Sequence, residues 1–161
     1  MVLWFVATSV LTIFLVFTDP RFDYRPLVLG ALLPDVVDAP FGGARAMHSL
    51  TTAVVLVAVV MAVSVGRRTM RKRLLAVPIG MLLHIVFDGA FTDTDVFWWP
   101  FSGGFGDARL PIVERGIVVD LVLEAIGAAL LWWAWRAFGL ADRRRRSHLL
   151  RTGELSRVGR T

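Results

Sequence analysis

The sequence predicts an all-α membrane protein, a bundle of four transmembrane helices with one short broken or re-entrant helix. The composition is the first reason: 56% of the 161 residues are hydrophobic, 19% are charged, and mean hydropathy is +0.64. Soluble domains usually carry about 25% charged residues. The second reason is that the apolar residues form long stretches, and the third is that the basic residues cluster between and after them. This composition excludes intrinsic disorder, and the absence of cysteine excludes disulfides, thiolate metal sites and a Cys nucleophile.

The first apolar stretch covers residues 2–17. It has no basic segment before it and no small-residue cleavage site after it, so we expect a retained helix rather than a signal peptide. The segment 27–41 is also apolar, but Pro34 and Pro40 interrupt it. It is too short and too broken to span a bilayer, and we expect a re-entrant piece packed against the bundle.

Three further stretches, 49–65, 74–91 and 116–140, complete the predicted set. A spanning helix needs about 20 residues, with a range of about 17–25. The first two are short but adequate, and the last is long enough to tilt.

Basic residues fill the link 67–73 and the segment 143–146. The positive-inside rule makes both cytoplasmic. Counting helices back from them puts residue 1 in the cytoplasm as well, and puts 19–47 and 92–111 outside. We therefore expect a multi-pass protein of the cytoplasmic membrane with both termini inside. Tryptophans are expected at both interfaces: Trp98 and Trp99 outside, and Trp132, Trp133 and Trp135 inside.

Residues 1–141 are predicted to form one integral-membrane domain, and 142–161 a basic cytoplasmic tail. Because the tail lacks aromatic interleaving or a recognition motif, we expect it to meet anionic lipid headgroups rather than nucleic acid. Membrane lipids are thus the expected partners. The sequence is also compatible with a homo-oligomer.

Five ionisable side chains are predicted to share one membrane depth at the outer side. His84 and Asp88 are four residues apart on one helix face, His48 begins a helix, and Asp35 and Asp38 lie in the broken segment. Two imidazoles and three carboxylates suit a divalent metal, with Zn, Mn or Fe favoured. The alternative is that His84 and Asp88 only bond each other inside the bundle.

Asp120 and Glu124 form a second pair at the same depth. They are candidate hydrogen-bond acceptors for metal-bound histidines. They are equally candidates for a proton relay, or for ion pairs with Arg45 or Arg115. The nearby segment 97–104 is rich in aromatic residues and glycine, and we expect it to anchor at the interface or form a lip beside the site.

Four motifs in order carry a family resemblance: Leu-Gly-Ala-Leu-Leu-Pro-Asp at 29–35, Met-His-Ser-Leu at 47–50, His-Ile-Val-Phe-Asp at 84–88 and Trp-Pro-Phe at 99–101. Over residues 27–104 the chain resembles the YdjM-type family of bacterial inner-membrane metal-dependent hydrolases. That family is similar to zinc-dependent phospholipase C and the helical nucleases related to it. The resemblance implies a phosphoesterase-like site with Asp35, His48, His84 and Asp88 as ligands.

The motif set is degenerate. Asp38 comes one residue later than in the family pattern, Gly43 and Ala44 replace a His-Arg pair, and no histidine precedes His48. Arg45 is the candidate substitute for the missing arginine. The leading function is therefore a membrane-bound metal-dependent hydrolase of phosphoesters or phospholipids at the outer face, with Asp38 as a further ligand or general base. The alternatives are a non-catalytic scaffold that has lost metal chemistry, and a small proton-coupled transporter that would need to oligomerise.

Overall fold

The computed structural model describes residues 1–17, 19–41, 43–105 and 116–155, and every regular element there is a helix. The longer helices are α1 (Val2–Val16), α2 (Tyr24–Asp38), α3 (Leu50–Val63), α4 (Arg68–Asp88) and α6 (Ile117–Ala137), with α5 (Thr94–Phe97) and α7 (Arg143–Thr152) shorter. Single 3-10 turns cover Ala39–Phe41, Ala46–His48 and Ala90–Thr92. The all-α prediction is confirmed.

Helices α2 and α4 form the central pair and run parallel. Asp23, just before α2, bonds Arg73 at 3.0 Å near one end, and Asp35 approaches His84 at 3.4 Å near the other. Glycines permit the close crossing between them, since a Cβ on Gly30 or Gly80 would overlap the backbone of the facing helix. Small residues at such a crossing are typical of helix packing in membranes.

The structure contradicts the expectation that 27–41 is a broken piece. Helix α2 is continuous for 15 residues with Pro34 inside it. A proline removes one backbone hydrogen bond, and Pro34 is fully buried. The packing of α2 along α4 outweighs that loss, so α2 runs through the bundle as a fifth long helix.

This extra helix reverses the predicted orientation of α1. The backbone N–H of Val2 donates to Glu124 at 2.8 Å, and the indole N–H of Trp4 faces the Phe87 carbonyl near the last turn of α4. After α1, Asp19 instead pairs at 3.0 Å with Lys72 near the start of α4. Helix α1 is therefore antiparallel to α4.

The helices place their termini at two ends of the bundle. The basic end comprises residues 19–25, 64–73 and 138–155, and the site end comprises 1–4, 35–49 and 84–105. Residue 2 and helix α7 therefore lie at opposite ends of the bundle, whereas the prediction placed residue 1 and the basic segment 143–146 on one side. Residues 19–25 likewise belong to the basic end, and not with 39–47 as predicted.

Helix α7 closes the basic end. Tyr24 donates its backbone N–H to the Gly153 carbonyl at 2.9 Å, and Arg25 donates to the Leu150 and Arg151 carbonyls at 3.0 and 2.9 Å. Leu155 belongs to the buried core. Residues 142–155 are thus packed on the bundle rather than forming a separate tail, whereas 156–161 lie outside the described residues.

Only one of the helices in the described part of the chain, Ile117–Ala137, is both long and apolar enough to cross a membrane; Val2–Val16 and Leu50–Val63 are apolar but shorter. Large apolar side chains are nevertheless exposed along several helices. Examples are Leu29 on α2, Val54 and Val59 on α3, and Val118 and Leu121 on α6.

Candidate metal centre

Three different helices deliver one candidate ligand each to the site end. Asp35 lies in the last turn of α2, His84 in the last turns of α4, and His48 in the 3-10 turn just before α3. Parallel packing of α2 on α4 places Asp35 beside His84. The Ser49 side chain caps α3 by accepting from the Thr52 N–H, which fixes where the turn carrying His48 ends.

The three side chains converge on one point. The Nε2 atoms of His48 and His84 lie 3.3 Å apart, and they lie 3.6 and 3.4 Å from the same Asp35 oxygen, Oδ1. One ligand atom from each residue falls within 4.8 Å of the others. Both imidazoles are buried, whereas the Asp35 side chain is 43% exposed. The cluster therefore opens on the Asp35 side.

Both imidazoles are held by their other nitrogen. His48 Nδ1 bonds the Asp38 carboxylate at 2.8 Å, and His84 Nδ1 donates to the Ala31 carbonyl at 2.7 Å. A histidine that donates from Nδ1 presents the Nε2 lone pair. Partners of this kind are the usual supports of metal-binding histidines.

Asp38 does not join the cluster. Its Oδ2 accepts both from His48 Nδ1 and from the Arg45 backbone N–H at 2.8 Å, and the side chain is buried. Asp38 is thus not among the three convergent residues: it lies across the imidazole ring from Nε2 and positions His48. Its role as general base stays a prediction.

Protonation of His48 depends on the same contacts. Burial lowers the pKa of His48, but hydrogen bonds with Asp35 and Asp38 outweigh burial and raise it to about 9. The pocket around Nε2 thus favours a cation, either a proton or a metal ion.

Asp88 lies one turn from His84, as predicted, but it is not among the three convergent residues. Its side chain is buried, and its Oδ2 has no hydrogen-bond partner among the described residues. It is near enough to interact electrostatically with His84, His48 and Asp35. An unpaired buried carboxylate oxygen costs free energy, so a cation beside it would be stabilised.

The contacts of Asp120, Glu124 and Arg45 differ from the supporting roles predicted for these residues. Glu124 accepts from the backbone N–H groups of Val2 and Trp4 at 2.8 and 3.0 Å, and so holds the start of α1. The Nδ1 positions are already occupied by Asp38 and Ala31, so Glu124 is not their acceptor. Arg45 contributes its backbone N–H to Asp38. Asp120 keeps one buried oxygen without a partner in the described structure, and the alternative pairing with Arg115 lies outside the described residues.

The aromatic segment after α5 lies against the loop that carries the site. Trp99 stacks on Phe105 with centroids 5.1 Å apart, and the Arg45 guanidinium lies 5.6 Å from the centre of the Phe105 ring. Trp98 and Phe101 are exposed beside it. The segment therefore borders the site and also presents aromatic rings outward.

The Ala31 carbonyl was not predicted, because a backbone acceptor leaves no mark in the sequence. The one sequence feature that could have suggested this acceptor is the pair Gly30 and Ala31, whose small side chains let α2 approach α4 closely.

Comparison of the chain with protein-family models, with curated proteins and with solved structures finds no match.

The donor set suits a divalent metal. Two imidazole nitrogens and one carboxylate form the ligand set of many catalytic zinc sites, which keep a further position open for water or substrate. Mn and Fe accept the same donors. Asp35, His48 and His84 are close enough to hold such an ion, and the exposed side of Asp35 leaves room for the open position.

Proposed function

We propose that this chain is a membrane-embedded, metal-dependent hydrolase that acts on phosphoesters at its site end. The observation that carries the proposal is the convergence of His48, His84 and Asp35, with both imidazoles locked from behind by Asp38 and Ala31. Two imidazole nitrogens and one carboxylate are thus offered to a single point by three separate elements.

Exposed apolar side chains and charge placement support the membrane location. Leu29, Val54 and Val118 each expose more than half of their surface, and large exposed apolar areas are uncommon on soluble monomers. Arg21 and Arg25 join the basic end, which sharpens the charge difference between the ends. By the positive-inside rule the basic end is cytoplasmic and the site end extracytoplasmic.

Five helices then cross the bilayer, although α1, α2 and α3 have only 15, 15 and 14 residues. Segments shorter than the hydrocarbon core are accommodated by local thinning of the bilayer and by flanking residues. In this arrangement residue 2 lies at the extracytoplasmic end and α7 lies at the cytoplasmic end.

The chain's own residues have separate tasks in this proposal. His48, His84 and Asp35 hold the ion, Asp38 and Ala31 orient the rings, and Asp88 supplies a third carboxylate beside them. A bound divalent ion would polarise a phosphoryl oxygen and activate a water molecule as nucleophile. The exposed face of Asp35 is where a substrate phosphate would enter, and the aromatic segment 97–105 borders that entrance.

Metal analysis of the detergent-purified protein tests the proposal. We expect about one equivalent of Zn, Mn or Fe in the wild type and none in His48→Ala/His84→Ala. His148→Ala is the matched control, because His148 is an exposed histidine at the basic end. A chromogenic phosphodiester should be hydrolysed only by the metal-loaded wild type and control.

Absence of metal from the wild type after incubation with excess Zn or Mn would overturn the assignment. The non-catalytic scaffold would then be the better description. Metal retention with no turnover of mono- or diesters would overturn the hydrolase while keeping the metal centre.

Proton-coupled transport is the second candidate, favoured by one observation. Ser9 Oγ, Asp88 Oδ2 and Asp120 Oδ1, on α1, α4 and α6, are buried without hydrogen-bond partners among the described residues. Polar groups at membrane depth often mark ion pathways. Reconstituted vesicles without any pH- or voltage-dependent flux would exclude this role.

A further inference from the structure

A cavity of about 590 Å³ lies at the basic end, away from the metal centre. Its walls come from α1, α2, α6 and α7 and are almost entirely apolar, with Val28, Leu29, Leu131, Ala134 and Leu150 among them. Cavities that hold small molecules usually measure about 300–1,000 Å³. The size and lining suit a hydrocarbon chain.

Arg25 borders this cavity, but its guanidinium donors are already engaged. Its guanidinium bonds Asp23 at 2.8 Å and donates to the Leu150 and Arg151 carbonyls. The larger cavity therefore offers no open cation of its own and would take the apolar part of a ligand.

A second cavity of about 280 Å³ adjoins it and has a more polar lining than the first. The two share three lining residues, Phe138, Leu140 and Leu155. The smaller cavity adds Arg144 and Arg145, together with His148 and Glu154, which bond each other at 3.2 Å. The lining of this cavity carries two arginines against one glutamate, so its formal charge is positive.

We propose that the two cavities together bind one phospholipid with an anionic headgroup from the cytoplasmic leaflet. An acyl chain occupies the apolar cavity, and Arg144 and Arg145 contact the phosphate. The opening toward the bilayer is marked by Leu29 on α2 and Trp135 on α6, both exposed. Basic clusters next to a membrane surface attract anionic lipids, and here the cluster adjoins a cavity that fits the chain.

The proposal rests on the membrane placement above and is independent of the metal centre. It gives α7 a role, because the same short helix contributes both Leu149 and Leu150 to the apolar wall and Arg144 and Arg145 to the polar one. A bound lipid would thus hold α7 against α2 and α6.

Native mass spectrometry of the detergent-purified full chain, titrated with phosphatidylglycerol or phosphatidylcholine of equal chain length, tests this. We expect one tightly bound phosphatidylglycerol and at least tenfold weaker binding of phosphatidylcholine. Arg144→Gln/Arg145→Gln should lose the headgroup preference. Arg143→Gln/Arg151→Gln removes equal charge from the same helix outside both cavities, and it should keep the preference.

A second pair of variants tests the chain site separately. Leu29→Trp narrows the opening from an exposed position, and should weaken phosphatidylglycerol binding about tenfold. Val54→Trp, on the exposed face of α3, should leave it unchanged. Circular dichroism and gel filtration would verify that each variant is folded.

Equal binding of the two lipids by the wild type would overturn the proposal. An equal loss of the headgroup preference in both double-arginine variants would also overturn it, because it would indicate attraction by general surface charge. Undiminished phosphatidylglycerol binding by Leu29→Trp would overturn it as well. Purification without detergent as a stable monomer would instead overturn the membrane placement, so the two failures are distinguishable.

Discussion

Nε2 of His48 and Nε2 of His84 lie 3.3 Å apart, although 36 residues separate them in the chain. Two neutral imidazoles at this distance form a hydrogen bond only if one Nε2 carries a hydrogen and the other offers a lone pair. Since both Nδ1 atoms already bond an acceptor, as an N–H does, both Nε2 atoms present lone pairs unless one ring is protonated. Because the pKa of His48 is raised to about 9, that ring carries the extra proton near neutral pH, and its Nε2–H faces Asp35 and His84. A metal ion bound here would replace that proton.

Asp38 should act through His48 rather than on substrate. Asp38→Asn keeps the shape but removes the charge behind Nδ1, so we expect metal affinity to fall about 10–100-fold. Turnover at saturating metal should change much less. Equilibrium dialysis with Zn and a phosphodiester assay at saturating Zn would separate the two quantities.

Asp95→Asn is the control for this change, because Asp95 is exposed at the same end of the bundle. Unchanged Zn affinity in Asp38→Asn together with a large loss of turnover would restore Asp38 as a general base.

The crossing of α2 and α4 should tolerate no added methyl group. In Gly30→Ala and Gly80→Ala the new Cβ meets the backbone of Val77 or Leu27. Overpacking of this kind costs about 1–3 kcal/mol, so the unfolding temperature in detergent should drop and Zn affinity should fall with it. Gly104→Ala is the control, since nothing lies within 4 Å of its Cβ position. Equal unfolding temperatures in all three variants would contradict the close crossing.

The reversed orientation of α1 should be visible by labelling. The sequence has no cysteine, so single cysteines can replace exposed Arg21, Ser102 and Ala141. In sealed vesicles we expect a membrane-impermeant maleimide to label Arg21→Cys and Ala141→Cys from one side, and Ser102→Cys from the other.

This experiment separates the two topologies directly. Four crossing helices with a re-entrant segment would place residue 21 with residue 102, and that labelling pattern would disprove five crossing helices.

Asp23 should make stability depend on acid pH. Hydrogen bonds from Arg25 and Arg73 outweigh burial and hold the pKa of Asp23 below its usual range. A carboxylate with a lowered folded-state pKa stabilises the fold above its unfolded value of about 3.9, and that contribution disappears as pH falls through the folded-state pKa. Thermal unfolding should therefore be unaffected by this group from pH 7 to 5 and decline below about pH 4.

Asp23→Asn should lower stability at pH 7 by about 1–3 kcal/mol and flatten part of that acid decline. Asn still caps α2, so the change isolates the charge. Asp142→Asn, at the exposed N-cap of α7, should alter stability by less than about 0.5 kcal/mol. A steeper acid decline in Asp23→Asn than in the wild type would contradict the ion pair.

The all-helical class and the residues of the site could be predicted from the sequence alone. Apolar stretches, the clustering of arginines and the placing of Asp35, His48 and His84 are properties of local composition and spacing. These determine which segments form helices, and which ionisable groups lie near helix ends.

Tertiary structure alone decided the direction of α1, the continuity of α2 through Pro34, and the tasks of Asp38 and Glu124. A proline predicts a break when only the local backbone is considered, but contact with α4 over the length of α2 outweighs one lost hydrogen bond. Whether a carboxylate is ligand or support depends on which imidazole nitrogen it reaches. The distance between a carboxylate and each imidazole nitrogen is fixed by the packing of helices that are distant in sequence. It cannot be read from residue spacing along one segment.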